Sequence, residues 1–340
     1  MMKQQDTILL AHGSGGQMSR QLIRDLFMEH FGDEVLLAAT DAAVLESLDG
    51  LPVFTTDSYV VNPLFFPGGD IGRLAVSGTV NDLSVAGARP LALSAAFILE
   101  EGFPLDELER VVASMAASAR EAGVRIVTGD TKVVEHGSCD KMFINTAGVG
   151  VIDPARQGIG KGSGVRPGDK VIVSGTLGDH GIAILAARER LEIAGSVRSD
   201  VRPLNRMIHR LLDEGIGIRF MRDPTRGGMA TLLCEVAEMV SLGIELDERK
   251  IPVRPEVENI CEVFGFDPLY LANEGKVVMI VPADEAERAV QLLRAFPEGE
   301  EAAIIGTLTP EHPGEVVMET EIGGRRIVEM LAGEQLPRIC

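Results

Sequence analysis

The sequence ends in Pro337-Arg338-Ile339-Cys340. The final stretch 331–340, LAGEQLPRIC, has no apolar period and contains a proline, so it reads as an extended tail. A thiol at the end of such a tail buries little surface. An exposed cysteine is a liability unless its reactivity is used, which makes Cys340 a candidate reactive or carrier thiol. Arg338 could favour its thiolate or neutralise phosphate charge. The other cysteines, Cys139, Cys234 and Cys261, are far apart and form no CxxC pair, as suits a reduced protein. Cys234 and Cys261 lie in helix-like stretches and read as small core residues. His136 and Cys139 have a spacing seen in some zinc sites, but two ligands are too few.

Four aspartates stand against apolar segments, where a carboxylate needs a partner: Asp41 in AATDAAVL, Asp57 in FTTDSYVV, Asp82 in VNDLSVAG and Asp130 in VTGDTKVV. Taken singly, each reads as well as a cap, a turn or a salt-bridge partner. Converging, they would make the oxygen-rich cage that Mg²⁺ prefers, completed by water and phosphates. Lys132 follows Asp130 by two residues, a spacing that puts both on one face of an extended segment. Near the start, His12-Gly13-Ser14-Gly15-Gly16 precedes a helical pattern, so its backbone N–H groups could face an anion. It matches neither the Walker spacing nor GxGxxG, and a plain glycine turn is the alternative reading.

These residues need elements to carry them. Apolar spacing predicts a helix over 17–31, stopped by Gly32. Residues 52–61, 91–99, 124–130 and 142–152 read as strands, with a helix rich in small residues over 70–87 and an amphipathic one through Leu105, Leu108, Val112, Met115 and Ala119. The strand at 124–130 is expected to run into a loop at Asp130. The glycine-rich 158–170 marks a boundary, giving an N-terminal domain 1–157, a C-terminal domain 158–330 and the tail 331–340. In the second half, strands at 171–175, 277–282 and 302–308 alternate with helices near 178–189, 203–213, 226–241 and 284–296. The class is α/β or α+β.

Length agrees with about two domains. A formal charge of −19 argues against a nucleic-acid partner but leaves a nucleotide open, because glycine loops and a bound cation offset local repulsion. There is no tryptophan to offer a base-stacking platform. No apolar run reaches the length of a membrane span and no signal-peptide pattern opens the sequence, so a cytoplasmic location is expected.

The string FPGGDIGRLAVSGTVNDLSVAGARP resembles the signature of the aminoimidazole ribonucleotide synthetase superfamily, and DAAVL (41–45), TGDTKV (128–133), DPTRGG (223–228) and NEGK (273–276) match further blocks in order across nearly the whole chain. With the terminal PRIC motif, the sequence is most similar to the hydrogenase-maturation carbamoyl dehydratases within that superfamily. The resemblance implies two α/β domains, a homodimer whose N-terminal sheets form a barrel between subunits, and ATP in the cleft by that interface. It implies a carbamoyl group received on Cys340 from HypF, ATP-driven dehydration to a thiocyanate, and delivery of cyanide to a HypC–HypD complex for the iron of a NiFe hydrogenase. On this reading Asp57, Asp82 and Asp130, with Asp41 next, hold Mg²⁺, and Gly13, Gly15, Gly16, Asn81, Asp82, Asp223 and Arg226 bind nucleotide or substrate. Lys132 reaches the transferring phosphate or the carbamoyl oxygen, Glu274 is the general base, and Asn273 helps orient the amide or nucleotide. Two other readings stay open: a superfamily enzyme acting on a free small molecule, and a nucleotide-controlled assembly scaffold.

Overall fold

Strand β1 (Leu51–Tyr59) alternates: Val53, Thr55, Asp57 and Tyr59 turn inward while Phe54, Thr56 and Ser58 stay exposed. The inward row packs on helix α1 (Ile71–Val85), whose first turn Asp70 caps by accepting the N–H groups of Gly72 at 2.8 Å and Arg73 at 3.1 Å. The small residues of α1 allow this approach. A Cβ placed on Gly78 would sit 2.3 Å from the Tyr59 hydroxyl oxygen. Strand β2 (Arg89–Glu100), helix α2 (Leu105–Ala122) and strand β3 (Arg125–Val134) form a crossover unit with β2 and β3 parallel. Strand β4 (Met142–Ile152) pairs antiparallel with both β1 and β2, giving the order β1-β4-β2-β3. Helices α1 and α2 cover one face, and the other face leaves Phe54 68% and Ile98 43% exposed. The structure, a computed structural model, describes residues 6–38, 40, 42–191, 197–331, 333, 336 and 338–340.

The second half builds a seven-stranded sheet. In chain order its elements are β5 (Lys170–Val173), α3 (Asp179–Glu189), α4 (Asn205–Asp213), β6 (Phe220–Arg222), α5 (Gly228–Val240) and β7 (Gly243–Asp247). Then come α6 (Pro255–Phe264), β8 (Val278–Val281), α7 (Ala286–Leu293), β9 (Ala303–Thr309), β10 (Val316–Glu319) and β11 (Arg325–Val328), with strand order β11-β10-β7-β9-β5-β8-β6. The central strands are unbroken apolar runs because both faces are covered. Val171, Val173, Val278 and Ile280 join the core of α5, while Ile172, Met279 and Val281 join that of α4 and α7.

The helix predicted over 17–31 is present but winds as α over Gln17–Leu22, π over Ile23–Met28 and α over Glu29–Phe31, and Gly32 ends it in the left-handed region. The strand predicted over 124–130 does not loop at Asp130. It continues to Val134 because its pairing with β2 extends to Glu100. Cys234 and Cys261 are buried, as expected of core residues.

Candidate active site

The end of the sequence is seated against the protein. Val60 N–H donates to the Cys340 carbonyl at 3.2 Å and Asn62 N–H to the Arg338 carbonyl at 3.3 Å. His180 Nε2 lies 2.8 Å from the Ile339 carbonyl, which can only accept, so Nε2 carries the proton. Its Nδ1 accepts from Ser199 Oγ at 2.8 Å, and burial holds the ring's pKa below the ordinary value, fixing one neutral tautomer. Arg188 ties the carbonyls of Asn62 and Arg338 together at 2.9 and 3.0 Å. Ile339 is buried in the N-terminal apolar core. Arg338 does not serve the thiol as expected, since its guanidinium pairs with Asp140 and bonds the Val60 carbonyl.

Cys340 thereby faces a cavity of about 460 Å³ lined also by Asp57, Arg226, Thr231 and Tyr270. Arg226 and Thr231 also line a neighbouring cavity of about 540 Å³ that holds Thr55, Asp82 and Asp223. These residues arrive from three elements: Asp57 on the inward row of β1, Asp82 near the end of α1, and Asp223 and Arg226 on the turn between β6 and α5. That turn works through glycine. Gly227 and Gly228 take φ of 74° and 63°, and a Cβ on Gly228 would lie 2.4 Å from the Leu269 carbonyl oxygen. Gly227 is the N-cap, so neither Asp223 nor Thr225 caps α5.

The acids crowd one another. Burial, with Asp57 adding repulsion, raises Asp82 to about 6 against its hydrogen bond from Thr55. Burial and then Asp82 raise Asp223 to about 7. Glu274 is pushed well above the carboxylate range by burial, then by Asp223, Asp200, Asp57 and Asp82, and its Oε1 is buried with no protein partner. The Cys340 thiol is pushed up to about 12 by burial and Glu274, with Arg226 pulling the other way. The loop before β8 is fixed by Asp200, which accepts the N–H groups of Glu274 and Gly275 at 3.1 Å each and pairs with the buried Lys276 at 3.2 Å.

Asn81 and Asn273 are spent internally, contrary to expectation. Asn81 bonds the carbonyls of Arg202 and Glu274 and the N–H of Leu204, and so clamps α1 to the C-terminal half. Asn273 bonds Gly178 N–H and the carbonyls of Pro224 and Leu271.

A second group lies elsewhere. Lys132 Nζ contacts both carboxylate oxygens of Asp130, at 2.6 and 2.7 Å, on exposed β3. The glycine loop rests on the same strand: a Cβ on Gly13 would meet Val133 N at 2.5 Å. Together they line a cavity of about 210 Å³ with Phe27 and Phe97. Gly15 N–H is already bonded to Ser19 Oγ at 2.9 Å. Asp57 pairs with Thr146, Thr146 with Ala95, and Ala95 with Gly129, so Asp57 and Asp130 stand on opposite edges of the sheet, roughly 14 Å apart at the usual strand spacing. Asp130 and Lys132 therefore do not join Asp57, Asp82, Glu274 and Cys340 within one chain. Among the described residues no three His, Cys, Asp or Glu side chains stand close enough to hold a metal ion, and His136 and Cys139 form no such group. Asp41 lies outside the described residues. Sequence reasoning missed His180, Arg188, Asp200 and Lys276. Lys276 stood in the NEGK block, whereas no local pattern ties Asp200 or His180 to residues so distant in the chain.

Two unlike α/β halves carry the aspartate-bearing strand and helix and the glycine-turned acidic loop, and each half matches a domain of the AIR synthase related proteins. Residues 39–152 match the family model of the AIR synthase related protein N-terminal domain, and residues 166–319 that of the C-terminal domain. The chain belongs, within that group, to the HypE family of carbamoyl dehydratases. It is 52% identical to carbamoyl dehydratase HypE of Azotobacter vinelandii over 98% of this chain and 97% of that protein. A crystal structure of the hydrogenase maturation protein HypE in complex with ATP superposes with a TM-score of 0.94 at 53% identity, covering 98% of this chain and all of the other. HypE in a crystal structure of a HypE–HypF complex matches with a TM-score of 0.78 at 48% identity over 91% of this chain and 99% of that one. No helix among the described residues is long and apolar enough to cross a membrane.

Proposed function

We propose that this chain uses ATP to dehydrate a carbamoyl group carried on Cys340, leaving a thiocyanate for a hydrogenase iron centre. The observation that carries this reading is the seat of Cys340: backbone bonds hold the tail so that Cys340 lines one cavity with Arg226 and Asp57. The solved HypE–ATP and HypE–HypF structures support ATP as a ligand and HypF as a partner, which on this reading are the co-substrate and the carbamoyl donor. A HypC–HypD complex would take the cyano group.

Hydroxide is a poor leaving group, so the carbamoyl oxygen must first become a phosphate ester. The oxygen attacks the γ-phosphorus, forming an O–P bond while the bond to the ADP oxygen breaks, and one nitrogen proton is lost. Removal of the second nitrogen proton then expels phosphate as the C–O bond breaks, leaving sulfur bound to C≡N. The protein's task is in-line positioning, charge neutralisation and proton removal.

Asp82 and Asp223 are all-oxygen donors raised in pKa by burial, with the carboxylate of Asp57 adding to both; they suit a hard divalent cation, with water and phosphate oxygens making up the rest of its shell. Mg²⁺ held there would neutralise phosphate oxygens. Glu274 is placed to accept the nitrogen proton, while Arg226 holds the phosphate or amide oxygen.

Lys132, Asp130 and the Gly13–Gly16 loop enter from a second copy. The uncovered face of the N-terminal sheet, with Phe54 and Ile98 exposed, suits an intersubunit barrel that brings opposite sheet edges of two chains together.

Intact-mass measurement tests the reaction. With HypF, a carbamoyl donor and ATP, the chain should gain one carbamoyl group and then lose one water, and Cys340→Ala should do neither. An unchanged wild-type mass sinks the reading, and activity on a free small molecule by Cys340→Ala points to another superfamily reaction.

A further inference from the structure

A separate cavity of about 720 Å³ lies between the start of α1, helix α2 and segment 198–202, and shares no lining residue with either cavity around Cys340. Six cationic side chains line it, Arg73, Arg110, Arg198, Arg202, Arg254 and Lys276, in a chain whose formal charge is −19. The three carboxylates in its wall are committed inward. Asp70 caps α1, Asp179 bonds Thr176 and pairs with Arg254 at 3.2 Å, and Asp200 holds two backbone N–H groups and Lys276. Arg73 is paired with Glu121. The other three arginines spend no charge on a carboxylate among the described residues. Arg110 lies over the Phe65 ring at 4.0 Å, Arg202 donates to the Asp200 carbonyl at 3.2 Å, and Arg198 is exposed.

Against the protein's overall negative field, a concave site with three such guanidinium groups selects an oxyanion of several charges. Guanidinium forks match phosphate oxygens in geometry as well as charge, and stacking on Phe65 holds one fork in place before a ligand arrives. The volume is in the range of small-molecule sites. We propose that this cavity binds a small phosphorylated anion at a site distinct from the Cys340 cleft.

The test uses the full-length protein and pyrophosphate, titrated calorimetrically with and without a saturating non-hydrolysable ATP analogue. Pyrophosphate should bind equally in both, and the affinity should fall steeply with salt. The double variant Arg110→Ser/Arg198→Ser removes two charge-assisted contacts and should weaken pyrophosphate at least about tenfold while leaving analogue affinity unchanged. Arg110→Lys/Arg198→Lys should retain part of the binding and shows that loss in the serine variant is not misfolding. Absence of pyrophosphate binding, its displacement by the analogue, or undiminished binding in the serine variant each overturns the proposal.

Discussion

Replacing Asp200 by asparagine tests how the loop that carries Glu274 is held. Asp200 is 3% exposed, lies 3.2 Å from Lys276 Nζ, and accepts the N–H groups of Glu274 and Gly275. Burial opposes its ionisation, but Lys276 and the Glu274 N–H outweigh that and hold its carboxyl below the usual range. Asparagine keeps the shape and one acceptor oxygen, yet turns an NH₂ toward either a backbone N–H or the ammonium. Lys276 is left buried with Asp179, at 3.9 Å, as its one paired carboxylate among the described residues. Removing one partner of a buried pair costs roughly 3–5 kcal/mol, and the remaining Asp179 argues for about 3 kcal/mol. Urea unfolding at pH 7, followed by circular dichroism because the chain has no tryptophan, should show a lower midpoint with an unchanged slope. A depressed carboxyl stabilises above its unfolded pKa, about 3.9, and that contribution is lost as pH falls through the lower folded value. The gap between wild type and variant should therefore close in acid. Asp200→Asn/Lys276→Met should recover part of the loss, because no buried charge is then unpaired. A variant within about 0.5 kcal/mol of wild type at pH 7, the range of an ordinary surface change, would refute the buried-pair argument.

His180→Ala removes the donor to the Ile339 carbonyl, a net loss of about 1 kcal/mol, so the tail should open more often and native-state alkylation of Cys340 should speed up roughly fivefold. Because burial lowers the His180 pKa, its contribution is present above the unfolded value, about 6.5, and fades as pH falls through the folded one; alkylation rates across that window report it. Glu274→Gln should raise the thermal midpoint at neutral pH while abolishing the water-loss mass change. A carboxyl with a raised folded pKa stabilises below its unfolded value, about 4.3, and loses that contribution as pH rises through the folded one, a dependence glutamine lacks. Gly78→Ala drives a Cβ to 2.3 Å from the hydroxyl of Tyr59, which is fully buried, and should cost roughly 1–3 kcal/mol in a thermal or urea melt.

The strands and long helices were legible because their apolar periods survive without tertiary context, as in α2, α5 and β4. The strands β6, β7, β10 and β11 were not; they are no shorter as a group than β5 and β8, which were read, but they are stabilised by neighbours distant in sequence. In the site, residues in dense blocks, Asp57, Asp82, Asp223 and Arg226, were found and line adjoining cavities. Lys132 and Asp130 were also found, but the sequence carries no sign that β3 and β1 lie at opposite edges. Residue type did not distinguish Asn81 and Asn273, whose amides bind backbone, from ligand-facing asparagines. Asp200 and His180 act at separations of 74 and 159 residues, which no spacing argument reaches.

The charge state of the docked sulfur divides the proposed reaction into two places. A thiolate at Cys340 would be half-buried near Glu274, Asp57 and Asp223, and this desolvation and repulsion push its pKa up to about 12. Attack on a carbamoyl donor needs the thiolate, so loading belongs to the undocked tail, where solvent restores an ordinary thiol pKa. The carbamoylated sulfur cannot ionise and meets no such penalty. The seat that repels the free thiolate thus accepts the loaded tail, and the backbone bonds from Val60, Asn62 and His180 hold it whatever the sulfur carries. At neutral pH the empty tail carries a protonated thiol that the cleft also accepts, so the seat excludes the thiolate alone and controls the reactivity of the sulfur rather than the docking of the tail.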